Sequence, residues 1–357
     1  MKANCFGTVK LVYNREEMNF NRILIFQTAF LGDVVLTTPL FRAVKRLYPQ
    51  AHLTLLTTPA AKPLVEENPH LDEIITFDKK GGEAMTSIIS RVRKGRYDLL
   101  LSPHRSHRTS IIAMLSGIKV RVGYREAGFP LAYNRRVSRP MELHEVDRIL
   151  ALLTPLGVKV EESDRELYAG YTWEERELVD SLLKEAGFAP GEKILGLAPG
   201  SVWATKRWRA EGFAEVAKKL KGRGYRIVII GGPDDVETAC AVEELIGEGV
   251  LNAAGKTPLK ALPAWLDSFS LFVTNDSSPL HVAAARRIPT VAIFGATVRE
   301  LGFYPFHENS RLVEHDLPCR PCGLHGGDKC PEGHFDCMGL ITPEAVLSAL
   351  EELEGVR

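Results

Sequence analysis

The chain has 357 residues, 45% of them hydrophobic, which fills two ordinary cores and excludes an intrinsically disordered protein. Lys plus Arg and Asp plus Glu both number 45, so the formal net charge is zero and nonspecific nucleic-acid binding is not expected. No apolar run approaches the ~20 residues that span a bilayer, and the start, MKANCFGTVKLVYNREE, lacks the apolar segment of a signal peptide. We therefore expect a cytoplasmic protein, whose six cysteines are thiols or metal ligands.

The first half of the chain alternates predicted strands with predicted helices. Short Leu-rich or β-branched runs predict strands at 22–28, 52–58, 72–78 and 97–103, and 34–49 is predicted as a crossover helix. Near-continuous apolar strands joined by helices indicate a parallel sheet covered on both faces. Right-handed crossovers then favour a doubly wound sheet. Residues 1–17 precede this pattern, and we expect either a loose extension or a true start at Met18.

The same pattern restarts after a polar stretch at 160–177. The sequence predicts a helix at 210–224 and five strands: 193–200, 225–232, 250–255, 271–277 and 289–295. We therefore predict an α/β protein with two doubly wound, Rossmann-like parallel-sheet domains that face a cleft. The expected boundaries are 18–168 for the first domain, 169–341 for the second and 342–357 for a terminal helix that begins at a Thr cap.

Asp33 ends the segment TAFLGD, which follows the first predicted strand. Ligands of open parallel sheets bind at the carboxyl ends of strands, so Asp33 is expected at the cleft. A carboxylate that complements the dipole of the next helix is the alternative interpretation. The segment has one glycine where the dinucleotide fingerprint G-x-G-x-x-G has three, which weakens the case for a dehydrogenase.

The first strand of the second domain leads into APGSVWATKRW, which presents hydroxyl groups and two cations. Ser201 and Thr205, with Lys206 and Arg207, suit a phosphate ester, because charge-assisted hydrogen bonds are the strong ones. A solvated Lys-Arg pair is the alternative. The flanking residues Trp203 and Trp208 favour a partly shielded site.

A third candidate segment, NDSSPLHVAAA, follows another strand of the second domain. Asp276 and Ser277 lie where a helix N-cap is expected, and a helix N-terminus can bind a diphosphate near Ser277 and Ser278. His281 is expected on the same helical face as Ser277, and Thr297 follows the next strand at the same edge. The combination favours a donor-binding site over a purely structural histidine.

The last feature is a cysteine-rich segment with the spacing C-x2-C-x7-C-x6-C. It contains Cys319, Cys322, Cys330 and Cys337, with His325 and His334 between them. C-x2-C can contribute to a tetrahedral zinc site. The later spacings are not those of a common zinc finger, so a reduced, thiol-rich loop is preferred and no bound metal is predicted.

Three motifs in order resemble the ADP-heptose:lipopolysaccharide heptosyltransferases, a family of inverting glycosyltransferases. They are LGD, PGSVWATKRW, and NDSSPLHVAAA followed by PTVAIFGAT, and CRPC…KCPEGHFDCM is similar to the heptosyltransferase II branch. The resemblance runs from residue 22 to about 345. It implies a GT-B fold, with the acceptor on the N-terminal domain and the nucleotide sugar on the C-terminal domain.

The resemblance also implies roles for individual residues. Asp33 matches the family's general base, and Lys206 matches the lysine that contacts the donor diphosphate and sugar. The family's donor-binding turn and helix start are matched by Asp276, Ser277, Ser278 and His281. Many members have Gly where this chain has Ser278. We add Ser201 and Thr297 to the donor site from their positions alone.

The resemblance predicts transfer of heptose from ADP-heptose to a lipid A-core glycolipid, at the cytoplasmic face of the inner membrane. Neither a metal nor a cofactor is expected, because no Asp-x-Asp pair is placed to bind the diphosphate. A nucleotide-sugar epimerase and a non-catalytic nucleotide-sugar-binding protein are the alternatives. An epimerase would turn over ADP-heptose without acceptor, and a binding protein would be indifferent to loss of Asp33.

Overall fold

The computed structural model describes residues 19–355, so the predicted extension at 1–17 and the alternative start at Met18 lie outside the described residues. The first sheet has six parallel strands within the described range. They are β1 (Arg22–Phe26), β2 (His52–Thr57), β3 (Glu73–Thr76), β4 (Leu99–Leu101), β5 (Val120–Tyr124) and β6 (Arg135–Val137). Their order is β3-β2-β1-β4-β5-β6.

The second sheet repeats this arrangement. Its parallel strands are β7 (Ile194–Ala198), β8 (Arg226–Ile229), β9 (Val250–Asn252), β10 (Leu271–Asn275), β11 (Thr290–Phe294) and β12 (Ser310–Glu314). Their order is β12-β11-β10-β7-β8-β9. In both sheets the first strand pairs with the second on one side and the fourth on the other, which is the Rossmann order.

Helices cover both sheets. In the first lobe they are α1 (Leu31–Leu36), α2 (Thr38–Leu47), α3 (Met85–Lys94), α4 (His107–Leu115) and α5 (Glu145–Leu150). The others are α6 (Trp173–Glu185), α7 (Ala210–Gly222), α8 (Val236–Ile246), α9 (Leu262–Asp267), α10 (Ser278–Arg286), α11 (Asp336–Gly339) and α12 (Pro343–Glu354). The predicted terminal helix is present as α12, with the Thr342 hydroxyl accepting the Ala345 N–H, and it packs on the second sheet. No helix within residues 19–355 has both the length and the apolar character that crossing a bilayer requires.

The predicted fold class is confirmed, but some predicted elements are wrong. The sequence interpretation missed β5, β6 and β12, which are short and interrupted by arginines. The single helix predicted at 34–49 is two helices that meet at Thr37. Pro39 has no N–H for the carbonyl four residues earlier, and the Thr38 hydroxyl donates to that Val35 carbonyl instead, at 2.7 Å.

The two lobes are in direct contact. Helices α1 and α10 lie against each other, and one continuous apolar cluster contains Val34 and Val35 of α1 together with Val282 and Ala283 of α10. Because each helix follows the carboxyl end of a strand, their contact brings the ligand-binding edges of the two sheets together.

Candidate active site

A cavity of about 630 Å³ lies between the lobes, at the edge where the strands end. Its lining residues follow β1 in the first sheet and β7 and β10 in the second. Each sheet reverses its strand order at these positions, between its first and its fourth strand. Such switch points are where open α/β sheets bind ligands. Of the candidate site residues, all but Thr205 line this cavity: Asp33, Ser201, Lys206, Arg207, Asp276, Ser277, Ser278, His281 and Thr297.

Asp33 lies in the first turn of α1, and its carboxylate accepts the Phe30 N–H at 3.1 Å. Burial, together with the nearby Glu145 carboxylate, raises the pKa of Asp33 from 3.8 to about 7. The Phe30 N–H, Arg139 and Lys206 act in the opposite direction. A carboxyl group that titrates near neutral pH is suited to proton transfer.

Glu145 and Arg139 were not singled out from the sequence. They form an ion pair in which both side chains are almost fully buried, and Arg148 also contacts Glu145. A buried ion pair close to a carboxyl group with a raised pKa is typical of functional sites. Little in the sequence points to this pair, because it lies more than a hundred residues after Asp33 and has no motif spacing.

Lys206 and Asp276 form a second buried ion pair, on the opposite side of the cavity. The Lys206 Nζ lies 2.6 Å from the Asp276 Oδ2, and the Thr297 hydroxyl donates to the same oxygen at 2.6 Å. The two side chains of the pair are 11% and 6% exposed. Asp276 therefore fixes the lysine ammonium at the cavity wall, where it can meet an anionic ligand.

Helix α10 begins as predicted, with Ser277 as its N-cap. Pro279 removes one of the N–H groups expected there, so Ser277 and Ser278 supply the remaining backbone donors of this end. His281 is almost fully buried, and its Nδ1 has no hydrogen-bond partner among the described residues. Burial lowers the pKa of His281 to about 4, so its ring is neutral at pH 7.

Two residues of the APGSVWATKRW segment do not have the predicted position. The Thr205 hydroxyl is hydrogen-bonded to Gly327, at 2.8 Å from its carbonyl oxygen and from its nitrogen. Trp208 packs in the core of the second lobe, and its indole N–H donates to the Ile341 carbonyl. Of the two tryptophans, Trp203 alone lines the cavity.

The cavity also extends to the ends of β8 and β9, a region that the sequence interpretation missed. Ile230 and Ala253 directly follow these strands, and Leu262 and Trp265 of α9 close the apolar pocket. The glycine-rich segment GGPDD (231–235), directly after a buried strand, was the signal that could have revealed it.

Hydrogen bonds between the lobes fix their relative position on one side of the cavity. The Arg148 guanidinium donates to the Leu301 carbonyl at 2.6 Å, and the Glu145 N–H donates to the Gly302 carbonyl at 2.8 Å. His144 donates from Nε2 to the Tyr304 carbonyl at 2.8 Å. Residues at the start of α5 therefore join the second lobe directly.

The cysteine-rich segment forms a loop, residues 315–335, that leads into α11; we call it the cysteine loop. None of the five cysteines in the described part of the chain forms a disulfide. Within that part, no group of three or more His, Cys, Asp or Glu side chains is arranged to hold a metal ion. The loop tip reaches the cavity, where Leu324 and His325 are part of the wall.

A two-lobed α/β protein with a hydroxyl-rich cleft between two Rossmann-order sheets has the architecture of the nucleotide-sugar glycosyltransferases. The model for glycosyltransferase family 9 (heptosyltransferase) matches residues 85–329, more than half of the chain. The chain therefore belongs to glycosyltransferase family 9, the heptosyltransferase family of lipopolysaccharide core biosynthesis.

Individual relatives are similar to this chain over nearly its whole length. Lipooligosaccharide heptosyltransferase 2 of Campylobacter jejuni is 28% identical over 338 residues, covering 93% of this chain and 99% of that protein. The crystal structure of a glycosyltransferase family 9 protein from Veillonella parvula is 27% identical, with a TM-score of 0.81 over 94% of this chain and 98% of that one. Escherichia coli ADP-heptose lps heptosyltransferase II shares the GT-B-type fold at 24% identity, with a TM-score of 0.75 over 93% of this chain and 98% of that one.

Proposed function

We propose that this protein transfers heptose from ADP-heptose to the lipid A-core glycolipid of the lipopolysaccharide inner core, with inversion at the anomeric carbon. The observation that carries the proposal is that Asp33 and Lys206, from opposite lobes, line one cavity. A carboxyl group that can take a proton thus faces an ammonium group that can stabilise a leaving diphosphate. The donor and acceptor named for the heptosyltransferase relatives support these substrates.

The donor occupies the side of the cavity formed by the second lobe. Its base enters the apolar pocket that ends at Trp265, and its diphosphate lies near Lys206 and the start of α10 at Ser277 and Ser278. Ser201 and His281 are further donor-site residues, whereas Thr297 holds Asp276 against the lysine. This arrangement directs the sugar toward Asp33, across the cleft. Lys206 and Asp276 are the cation–carboxylate pair that we assign to the donor site.

The reaction is a direct displacement. The acceptor hydroxyl oxygen forms a bond to the anomeric carbon while the bond from that carbon to the diphosphate oxygen breaks, and ADP departs with the electron pair. Asp33 takes the hydroxyl proton as the bond forms. The transition state resembles an oxocarbenium ion, and charge on the departing diphosphate is stabilised by the Lys206 ammonium and by backbone N–H donors.

The raised pKa of Asp33 is consistent with a general base, because proton transfer is most effective when the pKa of the base lies near the working pH. Lys206 and Arg139 keep the carboxylate form accessible at neutral pH by lowering that pKa. The acceptor is a glycolipid, so we further propose that the protein works in the cytoplasm, in peripheral contact with the inner membrane.

A transfer assay with a small panel of sugar donors and truncated lipopolysaccharide cores tests the proposal. We expect ADP-heptose to be used with a core acceptor, with inversion seen by NMR of the product. Turnover of ADP-heptose without any acceptor would instead indicate an epimerase. Binding of ADP-heptose without transfer to any core would indicate a non-catalytic nucleotide-sugar-binding protein.

A further inference from the structure

An aromatic side chain lies exposed beside the proposed base. Phe30 is the N-cap of α1, and its N–H donates to the Asp33 carboxylate at 3.1 Å. Its ring is 49% exposed and forms part of the cavity wall. Burial of an aromatic side chain is strongly favourable. A half-exposed phenylalanine ring in a cleft therefore marks a surface that a ligand can cover.

His325 of the cysteine loop meets Phe30 from the opposite lobe. The two ring centroids are 5.3 Å apart and the ring planes are tilted by 60°. Both side chains line the cavity, but they leave no space for a sugar between them. A sugar that approaches Asp33 from this side of the cavity therefore lies across the cleft-facing surface of both rings.

The cysteine loop is fixed to the turn that carries Lys206. The Thr205 N–H donates to the Gly327 carbonyl at 3.0 Å, and the Gly327 N–H donates to the Thr205 hydroxyl at 2.8 Å. The Cys322 N–H donates to the Ala296 carbonyl at 2.9 Å, close to the end of β11. These hydrogen bonds hold His325 at a defined place in the cavity wall. The turn that carries Lys206 therefore also determines where His325 lies.

The electrostatic surroundings of His325 favour a neutral ring. Partial burial lowers the pKa of His325, Lys206 and Arg105 lower it further, and Asp276 acts in the opposite direction. Neutral imidazole has one N–H donor and one nitrogen acceptor, which match sugar hydroxyl groups, since a hydroxyl both donates and accepts. The apolar face of a pyranose ring matches the exposed face of Phe30.

We propose that Phe30 and His325 together form a subsite for the acceptor sugar, in which the sugar ring stacks on Phe30 and its hydroxyls bond to His325. The inference rests on the proposed transferase function. The attacking hydroxyl must come within about 3 Å of Asp33, and Phe30 is hydrogen-bonded to that carboxylate. The ring that carries this hydroxyl therefore reaches Phe30, whereas the donor base lies at the far end of the cavity.

Four variants test the subsite: Phe30→Ala, Phe30→Trp, His325→Ala and, as a control, Leu131→Ala. Leu131 is also an apolar side chain of the first lobe, is 71% exposed and does not line the cavity. Initial rates are measured at saturating ADP-heptose with the core acceptor that the wild-type protein uses, and ADP affinity is measured by calorimetry. Melting temperatures show whether each variant is folded.

We expect Phe30→Ala and His325→Ala to raise the acceptor KM about three- to tenfold while ADP affinity stays within twofold. Phe30→Trp should restore the acceptor KM, and Leu131→Ala should leave it unchanged. An unchanged acceptor KM in both alanine variants would overturn the subsite, as would a loss confined to ADP affinity, which would move His325 to the donor site. If the wild-type protein transfers sugar to no core in the panel, the proposed function fails and this inference fails with it.

Discussion

Gly32 of the first lobe lies directly against His281 of the second. A Cβ atom on Gly32 would be 2.5 Å from the His281 Cδ2, closer than real carbon atoms approach. The histidine is almost fully buried. The residue before the proposed base thus sets how closely the two substrate-binding lobes can meet.

Gly32→Ala should therefore force α1 away from α10. Overpacking of this kind costs about 1–3 kcal/mol of stability, and a shift of the base by about 1 Å can reduce turnover ~100-fold. The measurements are kcat and melting temperature. Gly222→Ala is the matched control, because a Cβ at that helical glycine meets no atom within 4 Å. Wild-type turnover in Gly32→Ala would mean that the lobes do not meet this closely during catalysis.

Asp33→Asn should reduce turnover ~10²- to ~10⁴-fold, the usual contribution of a positioned base. The amide keeps the size of the side chain and can still accept the Phe30 N–H, but it cannot take the acceptor proton. Donor affinity should change little, because the nucleotide is assigned to the other lobe. Turnover of the variant within a few-fold of the wild type at saturating substrates would disprove the proposed base.

The value of kcat/KM should rise with pH, with a midpoint near 7. Burial raises the pKa of Asp33 to about 7, so the carboxyl group is protonated and inactive as a base below that pH. The quantity to measure is kcat/KM between pH 5 and 9, which reports ionisation of the free enzyme. A kcat/KM that does not change over this range would contradict a pKa near 7 for Asp33.

The same ionisation should affect stability. Between pH about 4 and about 7 the folded protein keeps the Asp33 proton that the unfolded chain releases, so stability falls as the pH rises through this range. Asparagine has no such ionisation. We therefore expect Asp33→Asn to melt above the wild type at pH 8, with a smaller difference at pH 4. A variant less stable than the wild type at pH 8 would contradict this.

Lys206→Ala should weaken ADP binding ~10- to ~100-fold, since a charge-assisted hydrogen bond contributes about 1.5–3 kcal/mol. It should also lower the melting temperature, because among the described residues the buried Asp276 side chain would keep only the Thr297 hydroxyl as a hydrogen-bond partner. Calorimetry with ADP and thermal unfolding measure the two effects. Lys219→Ala, at an exposed lysine of α7, is the control. Unchanged ADP affinity would exclude Lys206 from the donor site.

The cysteine loop should carry substoichiometric zinc after purification without added metal. Within the described residues its thiols and histidines are not arranged as a metal site, although Cys319 lies 4.0 Å from the His334 Nε2. Elemental analysis and melting with and without a chelator are the measurements. One zinc per chain, with a melting temperature lowered by the chelator, would show that four thiolates close around a structural ion.

The sequence alone was sufficient for the fold class and for the edge of the two sheets at which the predicted site residues lie. Apolar strand runs that alternate with helices indicate parallel sheets, and carboxyl ends of parallel strands share one edge, so Asp33, Lys206 and Asp276 could be assigned to a cleft from chain position. The predicted domain boundaries at 168 and 341 remain predictions.

Only the tertiary structure decided which distant side chains meet. It turned Thr205 toward Gly327 and Trp208 into the core, and it brought Glu145 close to Asp33 and His325 close to Phe30. These pairs are joined by no periodicity or motif spacing, because each joins residues that are far apart in the sequence, within one lobe or, for Phe30 and His325, across the cleft. Local sequence specifies strands, turns and helix starts. The approach of α1 to α10 depends instead on how the surfaces of the two lobes fit together, which includes the absence of a side chain at Gly32.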